Sequence, residues 1–162
     1  MKSFTRGLFF SKVALASDHA GWQLKQAVKK MLQEKQIEVN DFGAASENPS
    51  DDYPDYIMPA CEQVAKSGGQ TVAIVFGGSG IGECIAANKV KGVRAAIAYS
   101  SETAKLCREH NNANVLCLGG RTMKQGEALK WAWEFLNTPF SGDERHIRRL
   151  NKISEYEKKN SK

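Results

Sequence analysis

A glycine-rich stretch, Gly77-Gly78-Ser79-Gly80-Ile81-Gly82, is followed at once by Glu83. Glycines at this density let backbone N–H groups turn toward a ligand, and a helix that starts at the turn adds partial positive charge. Such a turn suits an anion, or an oxyanion that develops during a reaction. Glu83 falls in the first helical turn beside those amides. There its carboxylate is either favourable electrostatics alone or a base whose strength the pocket tunes. Two nucleotide readings fail on spacing. A dinucleotide fingerprint through Gly78 and Gly80 needs glycine where Glu83 stands, and no Gly-Lys-Ser/Thr follows as a phosphate loop requires. A tight strand-to-helix turn with no ligand is the structural alternative.

Asp18-His19 offers a carboxylate and an imidazole able to orient a polyhydroxylated ligand or to move protons, although Asp18 is equally suited to cap the next helix. His110-Asn111-Asn112 ends a helix, where capping alone accounts for these residue types. Arg121, Arg145 and Arg149 carry guanidinium groups that fork onto phosphate oxygens, and the last two are four residues apart on one helical face. Plain solvation is the alternative for the two tail arginines. Cys61, Cys84, Cys107 and Cys117 form no Cys-x-x-Cys pair and have no His at metal-ligand spacing, which reads as four reduced, mostly buried thiols.

The elements that must position these groups alternate regularly. Strand candidates are Val13 to Ala16, Ile37 to Phe42, Thr71 to Phe76, Arg94 to Ala98 and Val115 to Leu118. Helix candidates are Trp22 to Gln36, Tyr56 to Lys66, Gly82 to Lys89, Ser101 to His110 with Ser101 as N-cap, and Lys124 to Leu136. Five strands alternating with helices imply a parallel sheet with right-handed crossovers, and ligands of such sheets bind beyond the carboxyl ends of the strands. Ser17 to His19, Phe42 to Tyr53, Gly77 to Gly82, Tyr99 to Ser101 and Gly119 to Arg121 share that rim. After Pro139 a last helix, Asp143 to Asn160, carries Ile147, Leu150, Ile153 and Tyr156 in a narrow stripe. The stripe must cover either the chain's own domain or a partner subunit.

A chain of 162 residues fits one domain, and 41% apolar with 25% charged residues excludes disordered and fibrous classes. Lys and Arg exceed Asp and Glu by 23 − 18 = 5, which suits an anionic partner without naming it. Aromatic residues at 9% in no nucleic-acid motif argue against nucleic acid, and no apolar run approaches the length of a membrane span. The apolar stretch within Met1 to Lys12 is too short for a secretory signal but leaves room for a short organellar presequence.

Six motifs in order resemble the ribose-5-phosphate isomerase B family over about Val13 to Tyr156. They are Ser17-Asp18-His19-Ala20-Gly21, Asp52-Tyr53-Pro54-Asp55-Tyr56, Gly77 to Glu83, Ala86-Ala87-Asn88-Lys89, Arg108 to Asn114 and Gly119-Gly120-Arg121. The resemblance implies a Rossmann-like three-layer α/β/α sandwich without a nucleotide, built on a five-stranded parallel sheet with a C-terminal helix. It divides the chain into an extension (1–12), an isomerase domain (13–140) and a tail helix (141–162). It implies a cytoplasmic homodimer or dimer of dimers with each site at a subunit interface, and neither metal nor cofactor. Asp18 and His19 would contact the sugar and Tyr53 would close over it. The amides of Gly78, Gly80, Ile81 and Gly82, with Ser79, would hold an enediolate oxygen, while His110 with Ser79 assists ring opening. Asn111 would hold hydroxyls, and Arg121, Arg145 and Arg149 the phosphate, the tail pair donated across the dimer. Some family members place Cys immediately before the Gly-Ser/Thr-Gly turn as base, and others place Glu just after it. Gly77 occupies that Cys position, so the resemblance makes Glu83 the base and leaves Cys84 a packed thiol.

The implied reaction is interconversion of ribose 5-phosphate and ribulose 5-phosphate. The rival readings are a six-carbon sugar-phosphate isomerase acting on allose or galactose 6-phosphate, a non-catalytic phospholigand-binding module, and a thiol hydrolase using Cys84.

Overall fold

A computed structural model describes residues 8–160 of the chain. The first seven residues of the expected extension lie outside the described residues. Five parallel strands, β1 (Lys12–Ser17), β2 (Val39–Asp41), β3 (Thr71–Gly77), β4 (Ala95–Ile97) and β5 (Val115–Gly119), lie in the order β2-β1-β3-β5-β4. The helices are α1 (Trp22–Glu34), α2 (Pro54–Lys66), α3 (Ile81–Ala87), α4 (Ser101–Glu109), α5 (Gln125–Asn137) and α6 (Glu144–Asn160). This is the expected three-layer sandwich.

Period-two alternation sorts the strand side chains into two cores. The larger ones, Val13, Leu15, Ile74, Phe76, Leu116 and Leu118, pack against α1, α4 and α5. The smaller set, Ala14, Ala16, Ala73, Val75 and Cys117, packs against α2 and α3. Both faces of β3 are covered, which explains its unbroken apolar run.

Local chemistry moves several expected boundaries. Helix α1 stops at Glu34 because Gln36 adopts φ 57°, a conformation outside the right-handed helix. Strand β2 is limited to the three residues that pair with β1, so Ile37 and Phe42 flank it. Helix α2 begins at Pro54, whose fixed φ and missing N–H suit a first helical position. The N-cap of α4 is Ser100 and not Ser101: the Ser100 hydroxyl accepts from the Thr103 N–H, and the Thr103 side chain takes the Ser100 N–H in return.

Two features of topology set the site. β1 is followed by its neighbour on one side, β2, and β3 lies on its other side, so the crossover direction reverses between β1 and β3 and opens a crevice at their carboxyl ends. The register then aligns the strand ends, with Ser17 beside Phe76 and Gly77 beside Gly119. Asp18, Gly78 and Gly120 therefore leave the sheet at one level. The loop after β2 is pinned from below, where the fully buried Lys25 ammonium donates to Asp41 Oδ1 at 2.8 Å and to the Ala44 carbonyl at 3.2 Å. Burial works to raise the Asp41 carboxyl, but hydrogen bonds from Lys25, Lys29 and the Gly43 N–H outweigh it and hold the group below its ordinary value.

Candidate active site

Asp18, His19, Tyr53, Gly78, Ser79, Gly82, Glu83 and Arg121 line one cleft of about 480 Å³ at the carboxyl end of β1 and β3. Asp18 is buried, and its Oδ1 accepts from the N–H groups of Ala20 and Gly21 at 3.0 and 3.2 Å. It caps the single 3₁₀ turn His19–Gly21 and faces the cleft as well, so the two readings of this residue are compatible. The Arg121 side chain passes over Gly78, and the Tyr53 ring rests on Gly82. Gly80 and Ile81 belong to the same turn, with Gly80 at φ 81° as the N-cap of α3. The Ser79 hydroxyl oxygen accepts the Ile81 N–H at 3.2 Å.

Glu83 is 4% exposed. Burial pushes its carboxyl above the ordinary range, the negative charge of Asp18 adds to the rise, and its own N–H opposes it. The group is therefore a stronger base than a solvated carboxylate. Its seat depends on Gly77, because a Cβ there would lie 1.8 Å from Glu83 Oε1. A side chain at position 77 and the Glu83 carboxyl claim the same space. That is a physical reason for a base to be placed before the turn or after it, and not at both positions.

His110, Asn111, Arg145 and Arg149 do not join this cleft. They lie at the opposite edge of the sheet, because α4 runs back along it and releases the chain at the amino end of β5. Five residues of β5 separate the edges by roughly 16 Å at about 3.3 Å per residue. There His110 stacks on His146, with ring centroids 4.4 Å apart and planes inclined by 15°. His146 is buried, and burial, then the neighbouring His110, holds its imidazole below the ordinary value. Asn111 lines a separate 260 Å³ cavity with Leu150 and Ile153 of α6. Arg145 and Arg149 are exposed, Arg145 Nε lying 3.8 Å from Asp143 Oδ2.

Sequence reasoning passed over two groups. Asp51 hydrogen-bonds to His19 across 32 positions, and nothing in a loop rich in Ser, Asn and Asp distinguishes it from Asp52. His146 was hidden among charged helix residues. Among the described residues, Asp18, His19 and Asp51 bring three potential metal-ligand atoms within 4.8 Å of one another, and the hydrogen bonds above engage them with each other and with the backbone. Cys84 packs against the second core, as expected of a structural thiol.

The ribose/galactose isomerase family matches residues 13–153. The chain belongs to this family. Its curated relatives include the probable ribose-5-phosphate isomerase B of Mycoplasma genitalium, 44% identical over 146 residues (90% of this chain and 95% of the relative). Ribose-5-phosphate isomerase B of Mycolicibacterium paratuberculosis is 45% identical over 91% of this chain and 92% of its own. Among solved structures, the Mycoplasma genitalium enzyme with bound ribulose-5-phosphate superposes with a TM-score of 0.89 at 42% identity, covering 94% of this chain and 99% of that one. The type B enzyme of Trypanosoma brucei superposes with a TM-score of 0.85 at 39% identity, over 91% and 99%. The isomerase fold expected from the six motifs is the fold observed.

Proposed function

We propose that the chain interconverts D-ribose 5-phosphate and D-ribulose 5-phosphate, with Glu83 as the base. The buried Glu83 carboxyl, pushed up by its surroundings and seated against the glycine turn, is the observation that carries this reading. After ring opening assisted by His110 and Ser79, Glu83 takes the C2 proton. The electron pair moves through the C1–C2 bond to the aldehyde oxygen and gives a cis-enediolate. The Gly78 to Gly82 amides and Ser79 hold that oxyanion, and fixed donors of this kind typically contribute about 10²–10³ in rate each. Glu83 returns the proton to C1 while the O2 hydroxyl proton passes to O1. Asp18 and His19 bind the sugar, Tyr53 covers it, and Arg121 takes the phosphate. These steps require neither a metal nor a cofactor.

Four of the expected site residues, His110, Asn111, Arg145 and Arg149, lie at the far edge of the sheet, so on this reading one chain holds an incomplete site. We infer a homodimer, or a dimer of dimers, in which His110, Asn111, Arg145 and Arg149 of a second copy close over the cleft. Exposed apolar side chains support it: Ile81 and Ile85 of α3 and Tyr99 after β4 stand exposed, and Ile147, Ile153 and Tyr156 leave the α6 stripe open. No helix among the described residues is long and apolar enough to cross a membrane. Four unpaired cysteines fit a reducing compartment, and we place the enzyme in the cytoplasm.

The test is turnover of ribose 5-phosphate by purified protein in the presence of a chelator, with Glu83→Gln beside it. Wild type turns over and the variant loses about 10³-fold. Turnover confined to allose or galactose 6-phosphate would move the assignment to six-carbon sugars. Binding without turnover of any of them would make the chain a phospholigand-binding module.

A further inference from the structure

The amino edge of the sheet holds a cavity of about 410 Å³ that shares no lining residue with the cleft. Thr71 and Val72 open β3 in its wall, and Arg94, Asn112 and Asn114 enter it from the segments just before β4 and β5. The guanidinium groups of Arg94 and Arg108 both line it, and no carboxylate among the described residues does. Arg108 is only 4% exposed. Its Nε donates to the Thr138 carbonyl at 3.3 Å, and its Nη1 donates to Asn112 Oδ1 at 3.0 Å and to the Ala113 carbonyl. Its Nη2 has no hydrogen-bond partner among the described residues. Arg94 Nε donates to the Asn112 carbonyl at 2.9 Å. One asparagine therefore takes a bond from each cation, and it does so in a left-handed conformation at φ 45°, which a non-glycine residue holds only where its surroundings impose it.

Two like charges gathered in one partly enclosed space repel each other, and burial removes the water that would screen them. Burial pushes the Arg108 guanidinium down to about 10, Cys107 works against the fall, and the charge of Arg94 adds to it. Glu157 accepts the Gly92 N–H on both oxygens, at 3.0 and 3.1 Å, and its charge acts on Arg94, but no carboxylate offsets the burial of Arg108. An anion in the cavity relieves both costs, and paired guanidinium groups fork onto phosphate oxygens. The volume falls within the roughly 300–1,000 Å³ of small-molecule sites, so it has room for more than a bare anion. The rest of the lining suits an organic group: Phe10, Val64, Val72 and Phe9, which keeps 56% of its surface exposed. We propose that this cavity binds a small phosphate ester, its phosphate between Arg94 and Arg108 and its organic part against Phe9 and Phe10. The site is separate from the cleft and stands whether or not the chain is an isomerase. A purely structural Arg108 would tie the Asn112 loop to Thr138 and leave the cavity without a ligand.

The experiment titrates the intact protein with phenyl phosphate, which has no carbonyl to isomerise, and follows backbone amide resonances at both edges of the sheet. Inorganic phosphate is titrated beside it. The Gly92, Asn112 and Asn114 amides shift to saturation, with a phenyl phosphate Kd about tenfold below that of inorganic phosphate because the ring buries apolar surface. Arg94→Gln raises this Kd about tenfold, the scale of one charge-assisted hydrogen bond. Ala65→Phe, at a lining position on the exposed side of α2, removes no side-chain hydrogen bond and raises it as much by narrowing the cavity. Binding of the probe in the cleft is separable: it shifts Gly78 and Gly82 and is lost in Arg121→Ala, which leaves the Kd at the amino edge unchanged. Three results overturn the proposal. They are amino-edge amides that stay still at millimolar phenyl phosphate, shifts there that Arg121→Ala abolishes, and a Kd that stays the same in folded Arg94→Gln or in Ala65→Phe.

Discussion

Both edges of the sheet carry charged groups, but they hold them in opposite ways. At the carboxyl edge, Glu83 and Asp18 are buried, and the carboxyl of Glu83 is raised by its surroundings. At the amino edge, Arg145 and Arg149 stand in solvent and His110 is stacked against His146. A base must be desolvated before a substrate arrives, whereas groups that bind a phosphate supplied from outside are better left free to reach it. On the reading proposed above, a cleft on one chain is a half-site, in which the reacting carboxyl is preorganised and the clamping groups come from a second copy.

The sharpest way to break this comparison is to mix two inactive chains. If His110 serves a partner's cleft, then Glu83→Gln and His110→Ala chains, co-expressed at equal levels, pair at random. Half of the dimers are mixed and hold one intact site in two, so activity recovers to about a quarter of wild type. A mixture as inactive as its parents would place His110 in the service of its own chain or of no site.

A second test bears on the carboxyl edge alone. Gly77→Ala puts a Cβ where the Glu83 carboxyl sits. Turnover should fall about 10²-fold, because small misplacements of a reacting group are costly, while the His110 and His146 ring signals stay unchanged in the NMR spectrum. Unaltered kcat would mean that Glu83 is free to move aside.

At the amino edge, Arg145→Ala removes an exposed guanidinium whose only ion pair among the described residues is the loose one to Asp143. KM for ribose 5-phosphate should rise about tenfold, the scale of one charge-assisted hydrogen bond, with the melting temperature nearly unchanged. An unchanged KM would remove Arg145 from the phosphate site.

The smallest expected effect sharpens the contrast in burial. The folded Glu83 carboxyl is raised above the ordinary 4.5, so its contribution to stability is full below that value and is lost as pH rises through the folded value. Gln stays neutral throughout. Glu83→Gln should therefore melt higher than wild type at neutral pH, by about 2–4 °C for each kcal/mol relieved. The gain should vanish once the pH falls below 4.5. A lower melting point at neutral pH would show that the carboxylate is satisfied where it sits.

Much of this was legible along the chain because its causes are local. The unbroken apolar run of β3, the helical spacing in α1 and the glycines between β3 and α3 each reflect a preference acting over a few residues. They specified the layers, the rim and the turn beside Glu83. Errors of one to three residues arose where a neighbouring residue competes for the same role, as with Ser100 and Ser101 at the start of α4, or where pairing with β1 limits β2.

The site itself was only partly legible. Residue types and the order of the motifs determined that Glu83, Ser79, Asp18 and His19 lie on one rim, since each belongs to the turn or first helical turn after a strand whose end the parallel sheet must align. Three things only the tertiary structure decided: that the Glu83 carboxyl fills the space left by Gly77, that Asp51 grips His19, and that α4 carries His110 to the far edge. Each depends on where separate elements meet in space, and spacing along a chain holds no record of which side chains a crossover will bring together.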